Sequence, residues 1–279
     1  MPDHSPRRTA PLRTFTSVAG ATLRYRDVGD GPVVLALHGA YSTHHELCSA
    51  LEPLLVPEAG CRWIAPDLTA MGDSPAHSSV ASTDDLVDLL DELVEQLVGA
   101  SPLAVVGHSY GGHLARAIAA RRPQQVGGLT LICPLVPSAR HPEPRAVVRS
   151  EPGVLDLVDP ALRDEYRGYF VVRTARTAER FAAAVAPSIG RADAGSVARI
   201  MDAPEVDPDP DLTPFDHPTL IVAGRHDSAT GYRGAMGLVE SYPRATLAVL
   251  ADAGHALPHE QPELLGALLS DWWSTVTTQ

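Results

Sequence analysis

Short apolar runs alternate with longer stretches of helical periodicity along most of this 279-residue chain. The runs that predict strands cover residues 13–18, 22–28, 33–39, 62–67, 103–108, 128–133, 219–224 and 245–250. The first two alternate apolar and polar residues, which favours an antiparallel edge, whereas the later runs are mostly apolar, as in buried parallel strands. This order predicts an α/β fold with an eight-stranded, mostly parallel sheet and helices on both faces.

Two helices stand out between these strands. Residues 84–98 carry leucine and valine at three- and four-residue spacing behind Ser82 and Thr83, which predicts an amphipathic helix with an N-terminal cap. Residues 110–123 predict a second helix, which Pro123 ends.

The alternation fails between residues 135 and 216. Three helix-like stretches, at 160–170, 177–186 and 196–203, precede a linker rich in proline and aspartate. We therefore predict a helical cap at 135–216, inserted into a core formed by residues 1–134 and 217–279.

Charge and cysteine content narrow the range of partners. The 34 acidic and 22 basic residues give a formal net charge of -12, and no residue is lysine, which argues against nucleic acid and anionic membranes as partners. Cys48, Cys61 and Cys133 have no paired spacing, so we expect buried free thiols. The N-terminal stretch has no apolar export segment, and no run is long enough to span a bilayer, so we predict a cytoplasmic protein. The partner that we expect is a small-molecule substrate. The oligomeric state stays open.

A serine flanked by glycines follows the fifth predicted strand. The segment Gly107-His108-Ser109-Tyr110-Gly111 has the pattern G-x-S-x-G at a turn from strand to helix. Glycines leave room for neighbouring backbone there, while the serine takes a strained conformation that exposes its hydroxyl. Ser109 is therefore the candidate nucleophile.

A serine hydroxyl needs a base to remove its proton and an acid to orient that base. His255 lies in a loop between the last predicted strand and the last helix, and Asp227 comes just past the seventh strand. The chain order serine, aspartate, histidine is the order of α/β-hydrolases rather than of chymotrypsin or subtilisin. We predict that these three residues form a catalytic triad.

Five segments together resemble the α/β-hydrolase superfamily over nearly the whole chain. They are "LALHGA" (35–40), "APDLTAMGDS" (65–74), "GHSYGG" (107–112), "GRHD" (224–227) and "AGHALPHEQPE" (253–263). The chain is similar to the branch of capped serine hydrolases that contains carboxylesterases, meta-cleavage carbon-carbon hydrolases and cofactor-free haloperoxidases. The resemblance implies an oxyanion hole formed by the backbone N–H groups of Ala40 and Tyr110.

Candidate pocket residues come from two regions. The resemblance implies that His38 braces its turn, and we also place it with Tyr41 among the candidate substrate-binding residues. Tyr166, Tyr169 and Phe170 of the cap either form an apolar lid or pack onto the core, since their helical spacing suits both.

These observations predict a serine hydrolase that needs no metal or other cofactor. The sequence has no H-E-x-x-H pair, no clustered ligands at metal spacing and no phosphate-binding glycine loop. Serine at the elbow directs the site to acyl carbon, whereas dehalogenation or epoxide opening needs a carboxylate nucleophile. We expect a small or medium, mostly uncharged ester, lactone or thioester as substrate. The alternatives are carbon-carbon bond hydrolysis of the meta-cleavage type and a triad-bearing ligand receptor.

Overall fold

All eight predicted strands are present in the computed structural model, which describes residues 11–278 apart from the side chains of residues 56–59. They are β1 (Arg13–Thr16), β2 (Thr22–Val28), β3 (Val33–Leu37), β4 (Arg62–Pro66), β5 (Leu103–His108), β6 (Val126–Ile132), β9 (Thr219–Gly224) and β10 (Ala245–Leu250). Two further strands of two residues each, β7 (Arg149–Ser150) and β8 (Val172–Arg173), pair separately with each other.

The eight strands form one sheet in the order β1-β2-β4-β3-β5-β6-β9-β10. Strands β1 and β2 pair antiparallel at one edge, as their alternating pattern predicts, and all pairs from β4 to β10 are parallel. Parallel strands end at the same edge of a sheet. The residues that follow β3, β5 and β9 are therefore delivered to one region.

Nine helices connect or cover the strands in the described part of the chain. They are α1 (His44–Ala59), α2 (Thr83–Leu97), α3 (Tyr110–Arg121), α4 (Arg163–Tyr169), α5 (Ala175–Arg180), α6 (Ala194–Met201), α7 (Arg233–Gly237), α8 (Leu257–Glu260) and α9 (Pro262–Thr277). Helix α2 begins with a capping box, in which the side chain of Ser82 accepts from the N–H of Asp85 and the Asp85 carboxylate accepts from the N–H of Ser82. The predicted cap at Ser82 is thus present.

The core has a layer on each face of the sheet, and the central strands alternate between them. In β3, Leu35 and Leu37 pack with α2 and α3, while Val34 and Ala36 pack with α1 and α9. Because both faces are covered, β3 is buried along its whole length. This explains the mostly apolar runs in the sequence.

The region predicted as a cap contains α4, α5 and α6 at the three helix-like stretches, together with several 3-10 turns. After Phe181, α5 continues as one turn of π-helix to Val185. The structure describes all of residues 135–216, and none of them joins the eight-stranded sheet. The short pair β7-β8 was not foreseen, because two residues carry no periodicity. The division into core and cap at residues 135 and 216 stays a prediction.

Cys48, Cys61 and Cys133 are buried, as expected, and none of them is in a disulfide within the described part of the chain. No described helix has the length and apolarity needed to cross a membrane. The first ten residues, which begin the stretch that argues against export, lie outside the described part of the chain.

We expect Gly111→Ala to destabilise the fold strongly. A Cβ at Gly111 would lie 2.0 Å from the carbonyl oxygen of Leu37, where α3 crosses β3, so the backbone would have to move. Such overpacking should lower the free energy of unfolding by about 3 kcal/mol, measured by urea denaturation. Gly127→Ala in β6 is the control, because a Cβ there meets nothing within 4 Å. Equal stability of the two variants would contradict the close crossing.

Candidate active site

Ser109 lies on the sharp turn between β5 and α3. Its backbone has φ 58° and ψ -118°, a conformation that non-glycine residues rarely adopt. A Cβ at Gly107 would lie 2.2 Å from the carbonyl oxygen of Gly111, so the turn admits no side chain at that position. The N–H of Ser109 donates to the Ile132 carbonyl (3.0 Å), and the Ser109 carbonyl accepts from Leu135 (2.9 Å). These bonds hold the strained serine in place.

His255 and Asp227 form a hydrogen-bonded line with this serine. His255 Nε2 lies 2.9 Å from Ser109 Oγ, and His255 Nδ1 lies 2.8 Å from Asp227 Oδ2. In the neutral ring, Nδ1–H donates to the carboxylate and Nε2 accepts from the serine hydroxyl. The structure therefore brings the three residues predicted as a triad into one contiguous arrangement.

Asp227 is completely buried, three residues past the end of β9. Its Oδ1 accepts the N–H groups of Ala229 and Thr230, and its Oδ2 accepts the Thr230 hydroxyl. Burial raises the pKa of this carboxyl, but the charge and hydrogen bond of His255 and the backbone donors outweigh burial and leave the pKa below its usual range. Asp227 thus stays ionised and aimed at the imidazole.

The electrostatic surroundings of His255 favour its charged form. Burial lowers the pKa of His255, but the charge and hydrogen bond of Asp227 raise it, and Glu46 and Glu260 raise it further. The net shift of the pKa is upward. An imidazole so placed takes up a proton more readily than one in water.

The two predicted oxyanion donors flank Ser109. Tyr110 is the first residue of α3, so its N–H has no partner within the helix. Ala40 follows Gly39, where a Cβ would lie 3.2 Å from Ser109 Cβ. No described residue accepts a hydrogen bond from the N–H of Ala40. The Tyr110 side chain points away to α2, where its hydroxyl meets Thr83 Oγ1 at 3.0 Å. The oxyanion role of both N–H groups stays a prediction.

The candidate pocket residues at the start of the chain differ in exposure. His38 is buried, with Nδ1 2.7 Å from the Gly39 carbonyl and Nε2 accepting from the N–H of Leu68 (2.9 Å). Backbone groups engage both ring nitrogens of His38, as expected of a residue that braces the turn, and its substrate-binding assignment stays a prediction. Tyr41, at φ 60°, is 49% exposed beside Ala40 and remains a candidate.

Two of the three cap aromatics pack inward. Tyr166 and Phe170 are 0% and 1% exposed, stack at 4.9 Å and share an apolar cluster with Phe181. The Tyr166 hydroxyl hydrogen-bonds Thr177 Oγ1 (2.8 Å). For these two residues the burial favours the packing alternative over the apolar lid, because their rings are enclosed by this cluster.

Tyr169 is the cap residue that reaches the triad. Its ring lies edge-on to the His255 ring, with centroids 6.1 Å apart, and its hydroxyl donates to Glu46 Oε1 (2.8 Å). Ser42 donates to the other Glu46 oxygen (2.6 Å). Burial raises the pKa of Glu46, but His259 and the hydrogen bond from Ser42 outweigh burial and lower the pKa to about 2. Tyr169 and Glu46 therefore link the predicted cap to α1 beside the imidazole.

Three polar residues around the triad were not predicted as site residues. His108 donates Nε2–H to the His255 carbonyl (3.1 Å), and burial lowers the pKa of His108 to about 4. Glu46 and Glu260 are buried carboxylates, each bound to donors on other elements. Glu260 lies in the quoted segment 253–263, but its alignment with backbone donors depends on tertiary structure that a sequence pattern does not contain.

Potential metal ligands also occur here. Nitrogen and sulfur atoms of His108, Cys133 and His255 lie within 4.8 Å of one another. Both His255 nitrogens are already hydrogen bonded to Ser109 and Asp227, and burial raises the pKa of the Cys133 thiol well above its ordinary value, which opposes the thiolate form. These features disfavour a metal at this cluster, and the expectation of a metal-free site stays a prediction.

Comparison with known proteins identifies the family to which this fold belongs. The model of the alpha/beta hydrolase family matches residues 33–268, so this chain belongs to that family. A solved alpha/beta superfamily hydrolase from Oenococcus oeni PSU-1 superposes with a TM-score of 0.85 at 23% identity, over 95% of this chain and 99% of that one.

Two curated relatives have different stated activities. A haloalkane dehalogenase of Bradyrhizobium diazoefficiens is 39% identical over 117 residues, which cover 41% of this chain and 36% of the relative. The mouse sn-1-specific diacylglycerol lipase ABHD11 is 33% identical over 141 residues, covering 46% of this chain and 45% of the relative. The chain thus spans less than half of either relative. Membership of a hydrolase family is shown, and the substrate is not.

We expect kcat/KM for an ester to rise with pH through a single ionisation above about 6.5, the ordinary imidazole value. Protonated His255 cannot accept the serine proton, so activity is lost as pH falls through its raised pKa. In Asp227→Asn the ionisation should move to lower pH, because the carboxylate that raises the pKa is gone, and kcat should fall about 10²- to 10⁴-fold. A pH-rate series on both proteins measures this. An unmoved ionisation in the variant would assign the titration to another group.

Proposed function

We propose that this protein is a metal-free serine hydrolase that cleaves a small or medium, uncharged ester, lactone or thioester through an acyl-enzyme. The observation that carries the proposal is the line from Ser109 Oγ to His255 Nε2 (2.9 Å) and from His255 Nδ1 to Asp227 Oδ2 (2.8 Å). These distances allow proton transfer without rearrangement of the side chains.

In the first half-reaction, Ser109 Oγ attacks the acyl carbon while His255 Nε2 takes the hydroxyl proton. The resulting oxyanion is stabilised by the backbone N–H groups of Ala40 and Tyr110. Each such donor contributes about 3 kcal/mol to lowering the barrier. Collapse of the intermediate breaks the bond to the leaving group, which receives the proton from His255. The acyl group is then esterified to Ser109.

In the second half-reaction, His255 removes a proton from water, whose oxygen attacks the acyl carbon. The bond to Ser109 Oγ breaks, the serine recovers its proton from His255, and the carboxylic acid leaves. Asp227 remains ionised throughout and stabilises the imidazolium in both halves. Its low pKa, which the backbone donors of Ala229 and Thr230 help to maintain, suits that role.

The nucleophile decides between this reaction and those named for some relatives. Relatives of this chain include a haloalkane dehalogenase and epoxide hydrolases. Dehalogenation or epoxide opening through an alkyl-enzyme ester needs a carboxylate nucleophile. The elbow residue here is Ser109, and an alkyl ether on serine has no carbonyl for water to attack. The serine therefore favours acyl transfer, which agrees with the lipase among the relatives.

Removal of the nucleophile tests the reaction. Ser109→Ala should lower kcat for p-nitrophenyl acetate by roughly 10⁴-fold or more, because no other described group occupies the elbow. Circular dichroism should remain unchanged, since only one half-buried oxygen is lost. Wild type should turn over many times per molecule and resist chelators. Near wild-type rates in the variant would refute the nucleophile, and one product per molecule with a stable adduct would favour the receptor alternative.

Tyr169 should influence substrate choice more than the packed cap aromatics do. Tyr169→Ala opens space beside His255 and should change the ratio of kcat/KM for p-nitrophenyl octanoate and p-nitrophenyl acetate by about tenfold. Phe170→Ala removes a buried ring of the cap cluster and should lower thermal stability instead. Steady-state kinetics and thermal unfolding of both variants separate the effects. An identical loss for both esters in Tyr169→Ala would mean that Tyr169 supports the geometry and not the choice of acyl chain.

A further inference from the structure

One buried carboxylate contacts both the predicted cap and the loop that carries His255. Glu260 Oε1 accepts the N–H groups of Val171 (2.7 Å) and Val172 (3.0 Å), at the start of β8. Glu260 Oε2 accepts the N–H of Gly254 (2.7 Å), the residue before His255. The side chain is largely buried, and the proposed reaction gives it no role.

The two segments that Glu260 joins also touch directly. A Cβ at Gly254 would lie 2.7 Å from Val171 Cγ1, so the cap presses on the catalytic loop where that loop has no side chain. The Gly254 carbonyl is equally confined, 2.2 Å from where a Cβ of Gly224 would lie. Any displacement of Val171 and Val172 therefore alters the contacts of Gly254, whose backbone determines the orientation of His255.

We propose that Glu260 is a positioning residue. Through it, the contact between the predicted cap and the core and the alignment of His255 form and break together. The inference rests on the proposed serine hydrolase. When residues 171 and 172 leave the core, Oε1 loses both donors, and a buried carboxylate with unmet hydrogen-bonding capacity is costly. Glu260 then rotates toward water, and the N–H of Gly254 loses its acceptor. The loop before His255 is released together with the cap.

The decisive variant is Glu260→Gln, which keeps the size of the side chain but replaces one acceptor oxygen with an NH₂ donor. Whichever way the amide turns, either Gly254 or the pair Val171 and Val172 faces a donor and loses its bond. We expect kcat to fall by roughly 10- to 100-fold, and by the same factor for p-nitrophenyl acetate and p-nitrophenyl octanoate, because misplacement of the base affects every ester. KM should change less than twofold, because misplacement of the base affects the chemical step rather than binding of the ester.

Glu263→Gln is the matched control. Glu263 also contacts the predicted cap, through Arg176 (2.8 Å) and Arg180 (3.5 Å), but its side chain is 68% exposed. Surface pairs of this kind contribute little, so kcat should stay within about twofold of wild type. Wild-type kcat in Glu260→Gln, with or without lower thermal stability, would overturn the proposal, as would a loss confined to the longer ester. Failure of the hydrolase proposal itself would show instead as wild-type turnover independent of Ser109.

Hydrogen exchange on the wild-type protein gives a second test that needs no variant to fold. Because the N–H groups of Val171, Val172 and Gly254 share one acceptor side chain, they should exchange through a common opening, with similar protection factors. Amide-resolved exchange measures this. Protection of Gly254 that persists while Val171 and Val172 exchange freely would overturn the coupling.

Discussion

The catalytic end of this molecule depends on how closely α3 crosses the sheet. Gly107 and Gly111 let helix backbone approach strand backbone to distances at which no Cβ fits. At this crossing Ser109 adopts a strained backbone with positive φ at the end of β5, and α3 starts directly behind it. The hydrogen bond to His255 and the location of the Tyr110 N–H beside the serine both require Ser109 to be at this point.

Buried carboxylates then organise the surroundings of the serine. Asp227 holds the imidazole from one side, and it is kept ionised by donors that its own loop supplies. Glu46 and Glu260 are bound to the predicted cap through Tyr169 and through the backbone before β8. All three carboxylates raise the pKa of His255, so Glu46 and Glu260, which contact the predicted cap, also influence the protonation of the imidazole.

Sequence reasoning succeeded where local pattern and chemistry coincide. Periodicity predicted the strands. Residue types at strand ends predicted the turn at Ser109 and the proximity of Ser109, His255 and Asp227. The sequence did not show which groups His38 and Tyr166 bind, because their partners are the Leu68 N–H and the Thr177 hydroxyl, which no spacing rule connects to them. Glu260 illustrates the converse, because its three donors are backbone groups and leave no trace in residue identity.

Glu260 binds backbone groups of the predicted cap, so this contact depends little on which side chains that segment carries. The two groups that it binds there are consecutive N–H groups, and the Val171 side chain supplies the contact over Gly254. A different segment between β6 and β9 would meet this carboxylate in the same way if its backbone presented two such donors at that place. At Glu260, the connection between the predicted cap and the loop of His255 is therefore defined by backbone geometry rather than by residue identity.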